Sequence, residues 1–289
     1  MTVSETTNKK SRIAVAIKNG ARRLCGKRSV ARIEAGSAQD IGARVYQEDA
    51  FAFSDLTNSA FCEHGGVLAI AADGVGGLAY GSEVSQLSVL RFVSAYHEKK
   101  AEESICDALH RALHSANAAA YEFACSHGDG VEVGTTLSAA VVHRAMIYHI
   151  SVGDTRIYRA SQKEVRQLST DHNFGEVLDE MAERNELSSE EALQDPQRNH
   201  LTSFLGAKNI FAIDYGEEPN ELTPGESIII CTDGLYGAVS EEDFCALYSP
   251  QPRTLCANLV KNALDSSIPE QDNITVVALT RPVLRALLL

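Results

Sequence analysis

Apolar residues along this chain fall into short unbroken runs, and two of those runs end alike. Val67-Leu68-Ala69-Ile70-Ala71-Ala72 leads into Asp73-Gly74, and Ile228-Ile229-Ile230-Cys231 leads through Thr232 into Asp233-Gly234. A continuous apolar run bounded by turn residues reads as a strand buried on both faces. Residues 67–73, 136–142, 145–152, 226–232 and 274–279 all follow this pattern. Polar breaks such as Gly153-Asp154-Thr155-Arg156 predict antiparallel hairpins between neighbouring runs.

Helical spacing takes over in two long stretches. Residues 82–97 place Val84, Leu87, Leu90 and Val93 on one face, and residues 102–125 place Ile105, Leu109, Ala112, Ala116, Ala120 and Phe123 on another. Shorter helices are predicted at 176–185, 241–247 and 254–264, and Ser188-Ser189-Glu190-Glu191 is a capping box that starts a further one. Strands come in runs and helices in pairs, without steady βαβ alternation. That predicts an α+β sandwich rather than a doubly wound sheet, in one domain.

Charge divides the chain. Residues 1–32 carry nine Lys and Arg against the single acid Glu5, which leaves the remainder at −21 where the whole is −13. A body this acidic excludes nucleic acid as an expected substrate. The basic arm reads as a disordered tail, as a docking element for an acidic partner or anionic lipid, or, being acid-poor and Arg-containing, as an organelle transit peptide. No segment approaches the roughly 18 apolar residues of a membrane span, and Lys18, Arg22 and Arg23 interrupt any secretory h-region. Seven scattered cysteines without a C-x-x-C pair predict reduced thiols and a cytoplasmic setting.

Against this background four acidic clusters stand out, each bordering a predicted strand end: Glu48-Asp49, Asp73-Gly74, Asp233-Gly234 and Asp272-Asn273. One Asp-Gly alone is an ordinary turn. Several carboxylates that meet would suit hard divalent ions such as Mg2+ or Mn2+, which take oxygen ligands and keep waters. Two such ions sharing carboxylates are a known device for hydrolysing phosphate esters. Arg44, just upstream of Glu48-Asp49, could fork a phosphate.

The motifs, in order, are Gly42-Ala43-Arg44…Gln47-Glu48-Asp49, Ala72-Asp73-Gly74-Val75-Gly76-Gly77, Gly134-Thr135-Thr136, Val152-Gly153-Asp154-Thr155-Arg156, Asp171-His172, Pro196…Arg198-Asn199…Leu201-Thr202…Leu205-Gly206, Cys231-Thr232-Asp233-Gly234-Leu235 and Asp272-Asn273-Ile274-Thr275. Over residues 35–280 the chain resembles the type 2C metal-dependent serine/threonine protein phosphatases, in particular the bacterial single-domain members. The resemblance implies a four-layer αββα sandwich of two antiparallel sheets flanked by helices. It implies two divalent cations, Mn2+ or Mg2+, with Asp73 shared by both, Gly74 giving its carbonyl, Asp233 and Asp272 on one ion and Glu48 on the other. Asp49 matches an acid that orients the attacking water, Arg44 the phosphate clamp, and Asp154 and Asn273 groups that hold the ligands from behind.

The implied domain spans 33–282, with a flap at about 172–199, an arm at 1–32 and a tail at 283–289. The implied activity is hydrolysis of phosphoserine and phosphothreonine on proteins, the substrates of a Ser/Thr kinase, by an expected monomer. The other expectation kept open is a catalytically silent relative that binds phosphoprotein. Four departures from the family stand out, one of them Ser203-Phe204 in place of a commoner Arg-Ala beside the flap. Val75 follows Asp73-Gly74 where animal members have a histidine, Gln47 stands for a commoner Asn, and Val131 stands where many bacterial members place an Asp for a third ion. Asp129 and Glu132 lie near, in a register that points away from the site.

Overall fold

The computed structural model describes residues 32–76, 78–216 and 220–283. The expected arm, apart from Arg32, and the expected tail beyond Val283 lie outside those residues. Strands β1 (Glu34–Asp40) and β2 (Ala50–Phe53) open the domain, followed by α1 (Ser59–Gly65), β3 (Val67–Ala72) and the long helices α2 (Gly81–His97) and α3 (Ile105–Ser126). Then come β4 (Leu137–His143), β5 (Met146–Val152), β6 (Arg156–Ala160), β7 (Val165–Gln167), α4 (Phe174–Glu183) and α5 (Ser189–Gln194). The chain closes with β8 (Asp214–Tyr215), β9 (Asn220–Glu221), β10 (Ser227–Cys231), α6 (Asp233–Tyr236), α7 (Glu241–Leu247), α8 (Pro252–Asp265) and β11 (Ile274–Thr280).

The strands form two antiparallel sheets. One has the order β1-β11-β10-β6-β7 and the other β2-β3-β4-β5-β8, with β9 also on β5. Alternation along each strand builds the layers. In β3, Val67, Ala69 and Ala71 face β10 and β11 of the other sheet, whereas Leu68, Ile70 and Ala72 face Phe92, Tyr96, Leu109 and Leu113 of α2 and α3. In β10, Ile228 and Ile230 join the intersheet cluster, and Ile229 and Cys231 pack on Leu255 and Leu259 of α8. Unbroken apolar runs are therefore what an inner sheet of a four-layer αββα sandwich needs, because neither face meets water.

Two expectations fail for identifiable reasons. The break at 153–156 is not a hairpin: Val152 ends its pairing with Leu137 in one sheet, and Arg156 begins pairing with Cys231 in the other. The segment crosses between the sheets. The hairpin lies one strand earlier, where His143 pairs with Met146.

Helix α2 buries Val84 and packs Val93 on the core as expected, but turns Leu90 outward and buries other residues in its place. Leu90 is 46% exposed, while Phe92, Ser85 and Ser88 are fully buried beside Val84, Val89 and Tyr96. Small serines let α2 pack closely, and a reading that counts serine as polar assigns them to solvent. Helix α3 starts later than expected because Ser104 accepts the Asp107 N–H as its N-cap. The capping box at Ser188 and Glu191 forms as predicted, with both halves present. Among the described residues Cys106, Cys125, Cys231, Cys245 and Cys256 are free thiols, and no helix is long and apolar enough to cross a membrane.

The face assignment is testable in urea titrations. Phe92→Ala should lose roughly 3–5 kcal/mol, the usual cost of deleting a buried aromatic ring. Leu90→Ala should stay within about 0.5 kcal/mol of the parent, as surface changes do. Equal losses would restore the face first expected.

Candidate functional site

Antiparallel register delivers the acidic clusters to one end of both sheets. Ala50 pairs with Ala72, and Leu137 with Val152, so the start of β2, the end of β3, the start of β4 and the end of β5 coincide. Asp40 pairs with Ile274, and Cys231 with both Val276 and Arg156, which brings the ends of β1 and β10 level with the starts of β11 and β6. Every acidic cluster sits at one of these exits. The result is a cleft of about 470 Å³ lined by Arg44, Glu48, Asp73, Gly74, Val75, Glu132, Thr136, Asp154, Asp233, Asp272 and Asn273. Asn199, His200, Leu201 and Phe204 also line it.

Each functional side chain is held by its own neighbourhood. Asp73 is fixed through its backbone: its N–H donates to Thr136 Oγ1 at 2.9 Å, and its carbonyl accepts from Thr135 Oγ1 and the Thr136 N–H, each at 2.8 Å. Gly74 lies against the start of α2, and a Cβ there would come within 2.6 Å of Gly81, so only glycine fits. Asn273 acts as a staple. Its Oδ1 accepts the Glu48 N–H at 2.8 Å, and its Nδ2 donates to the carbonyls of Ile41 at 2.9 Å and Tyr46 at 3.1 Å.

Of the expected site residues, only Asp49 lies outside the cleft lining. It is 4% exposed, and its Oδ2 accepts the Thr232 hydroxyl at 2.8 Å. Asp154, expected behind the ligands, lines the cleft itself. Arg44 Nη2 donates to Asp272 Oδ2 at 2.6 Å, joining the expected clamp to an expected ligand, while Asp272 Oδ1 accepts the Asn273 N–H. Glu132 reaches the lining despite its expected register, and Val131 packs instead beside Val84, Ala120 and Val133. His149 is buried with Asp214 3.6 Å away, as a core histidine, whereas His200 lines the cleft.

Sequence reasoning missed the threonines and the base of the crossing. Thr136 and Thr155 share a hydroxyl hydrogen bond of 2.6 Å, tying the Asp73 support to the 153–156 segment. Asp171-His172 grips that segment from outside. Arg156 donates to Asp171 from Nε at 2.9 Å and Nη2 at 2.7 Å, and the guanidinium stacks 3.7 Å over the Tyr236 ring. His172 Nδ1 accepts the Gly153 N–H at 3.2 Å, and the His172 N–H donates to the Gly153 carbonyl at 3.0 Å. Gly134-Thr135-Thr136 was visible as a motif, but hydroxyls carry no signal of their partner until the fold sets them side by side.

Electrostatically the cleft is overloaded with negative charge. Burial pushes Asp49 up to about 7, against the pull of the Thr275 and Thr232 hydroxyls. Burial, then Asp233, raises Asp154 to about 7. Asp73 is driven well above the usual carboxylate range by burial and then by Asp49, Asp233, Asp154 and Asp272. Asp233 is raised by burial and by Asp272, and Glu48 by burial against the opposing field of Arg44. Among the described residues Arg44 is the one Arg or Lys in the lining. Among the described residues no hydrogen-bond donor reaches the buried Asp49 Oδ1 or Asp233 Oδ1.

Orphaned carboxylate oxygens, crowded acids and one arginine fit a site completed by hard divalent cations. Among the described residues no group of three His, Cys, Asp or Glu side chains is placed to hold an ion by itself, so an ion here would need further oxygen donors such as the Gly74 carbonyl and water.

A family model described as "Protein phosphatase 2C" matches residues 41–268. The chain is 29% identical over 222 residues to a "Serine/threonine phosphatase stp" of Listeria welshimeri, an alignment covering 75% of this chain and 86% of the relative. Among solved structures, a serine/threonine phosphatase of S. agalactiae superposes with a TM-score of 0.73 at 27% identity, covering 86% of this chain and 99% of the other. The fold also matches the catalytic domain of a serine threonine protein phosphatase PstP in complex with two manganese ions, with a TM-score of 0.66 at 24% identity and coverage of 88% and 99%.

The raised carboxylates set a pH signature. Their folded pKa values lie above the unfolded value of about 4, so the stability they contribute is complete below that pH and is lost as pH rises through about 7. In chelator, the melting temperature should fall between pH 5 and pH 8. Millimolar Mn2+ or Mg2+ should raise it more at pH 8 than at pH 5. An equal metal effect at both pH values would contradict the charge argument.

Proposed function

This chain belongs to the protein phosphatase 2C family, and we propose that its acidic cleft hydrolyses phosphoserine and phosphothreonine on proteins with two divalent cations, Mn2+ or Mg2+. The observation that carries the reading is the meeting of Arg44 with Glu48, Asp73, Asp233 and Asp272 around one cleft. The name of the Listeria relative and the manganese ions of the PstP catalytic domain support it.

In this reading Asp73 and the Gly74 carbonyl would serve both cations, Asp233 and Asp272 would hold one of them, and Glu48 the other. Bound there, the cations would lower the pKa of a water and offset charge on the phosphate oxygens. The protein's own groups do the rest. Arg44 spends Nη2 on Asp272, and its other N–H groups are available to a phosphate in a fork. Asp49, buried outside the cleft lining with its Oδ2 accepting the Thr232 hydroxyl, supports the carboxylate array from behind. Val75 lines the cleft and has no ionisable proton to give, so in this reading the leaving alkoxide takes its proton from solvent.

Residues 172–199, with α4 and α5, serve as a substrate gate in this reading. Their ends are drawn together where the Phe174 N–H donates to the His200 carbonyl and the Gly175 N–H to that of Arg198. Residues 1–32 serve as a docking arm for acidic surfaces on phosphoproteins. The enzyme works as a monomer in the cytoplasm, on targets of a Ser/Thr kinase.

An aryl phosphate and a phosphothreonine peptide should both be hydrolysed with Mn2+ or Mg2+, and neither in excess chelator. Asp73→Asn should lose at least ~10²-fold in kcat, as loss of a charge shared by two metals implies. Full activity in chelator, or an unaffected Asp73→Asn, would overturn the mechanism. Deleting residues 1–30 should lower kcat/KM for a phosphoprotein and leave the aryl phosphate unchanged; equal kinetics on both substrates would remove the docking role.

A further inference from the structure

The loop that carries Arg44 is braced along its backbone and exposes apolar side chains. Gly42 sits at φ +62°, its N–H donates to Asp40 Oδ1 at 2.9 Å, and a Cβ there would lie 2.3 Å from the Asp272 carbonyl oxygen. The Ala43 N–H donates to the Gln271 carbonyl at 2.8 Å, and Asn273 Nδ2 holds the carbonyls of Ile41 and Tyr46. Gln47 closes the brace, with Nε2 on the Asp40 carbonyl at 3.1 Å and Oε1 accepting the Asp49 N–H at 3.0 Å. Yet Val45 is 80% exposed and Tyr46 74%, with Ile41 at 42%. Single exposed apolar residues are ordinary on protein surfaces. Three within six residues, on a braced loop that also carries Arg44, give that loop an exposed apolar ledge.

We propose that Val45 and Tyr46 bind an apolar side chain of the protein substrate next to its phosphorylated residue. This rests on the phosphatase reading above. A phosphate held by Arg44 brings its own backbone to the mouth of the cleft. Residues one or two positions away then lie within about 7 Å along an extended chain, and the two residues that follow Arg44 are Val45 and Tyr46. The ledge is already ordered, so covering it costs little conformational entropy on the enzyme's side. Tyr46 adds a large flat surface with few rotamers, the type of group that anchors a peptide. The ledge therefore selects phosphoproteins with an aliphatic or aromatic neighbour at the phosphosite, a preference that Arg44 and the carboxylates cannot supply.

The test uses two phosphothreonine peptides of equal length and charge, with leucine or glycine on both sides of the phosphoresidue, and the full chain with Mn2+. The parent should favour the leucine peptide on the order of five- to tenfold in kcat/KM, mostly through KM, as burial of one or two methylenes would give. In the Val45→Ser/Tyr46→Ser double variant that ratio should fall to within about twofold of unity, while Tyr46→Phe keeps it. Aryl phosphate turnover and the melting temperature of each variant show that chemistry and fold are intact. Equal use of both peptides by the parent, or a leucine preference that survives in the double variant, would overturn the ledge alone. Hydrolysis of aryl phosphate with neither peptide turned over would overturn the functional reading and the ledge with it.

Discussion

Mutual repulsion among buried carboxylates is the constraint on which the rest of this molecule depends. Asp49, Asp73, Asp154 and Asp233 are all pushed toward their neutral forms by burial and by one another. A protein selected only for stability would not gather them where two sheets end. The sandwich tolerates the arrangement because its core is made elsewhere, from three apolar clusters that use alternate faces of the same strands. Rigid inner strands then present the acids at fixed exits, where hard cations can offset the charge.

The supports are as informative as the acids. Thr136 holds Asp73 through its N–H, Thr155 bonds to Thr136, and the segment that contains Asp154 and Thr155 is clasped by Arg156 with Asp171 and by His172. Asp171-His172 is also the root of the 172–199 segment, so the 153–156 segment is held on one side by that root and on the other by Thr136, the residue that supports Asp73.

Much of this was legible in the chain. Unbroken apolar runs gave the inner strands, because strands covered on both faces need no polar alternation. Asp73 and Asp233 could be singled out because a carboxylate that ends such a run must find a partner or a cation. Three things were hidden. The crossing at 153–156 reads locally like any turn, and only pairing of Arg156 with Cys231 sends it to the other sheet. The buried face of α2 uses serine, which pattern reading gives to water. The Arg44–Asp272 ion pair and the staple made by Asn273 join residues more than 220 positions apart, beyond any local spacing rule.

The central claim is that the carboxylate array is completed by two cations that share Asp73. Titration of Mn2+ into metal-free protein at pH 7.5, followed by calorimetry, addresses it directly. The account predicts two ions bound per chain, and at most one, more weakly held, in Asp73→Asn. Two ions bound with unchanged affinity in Asp73→Asn, or none bound by the parent, would contradict it.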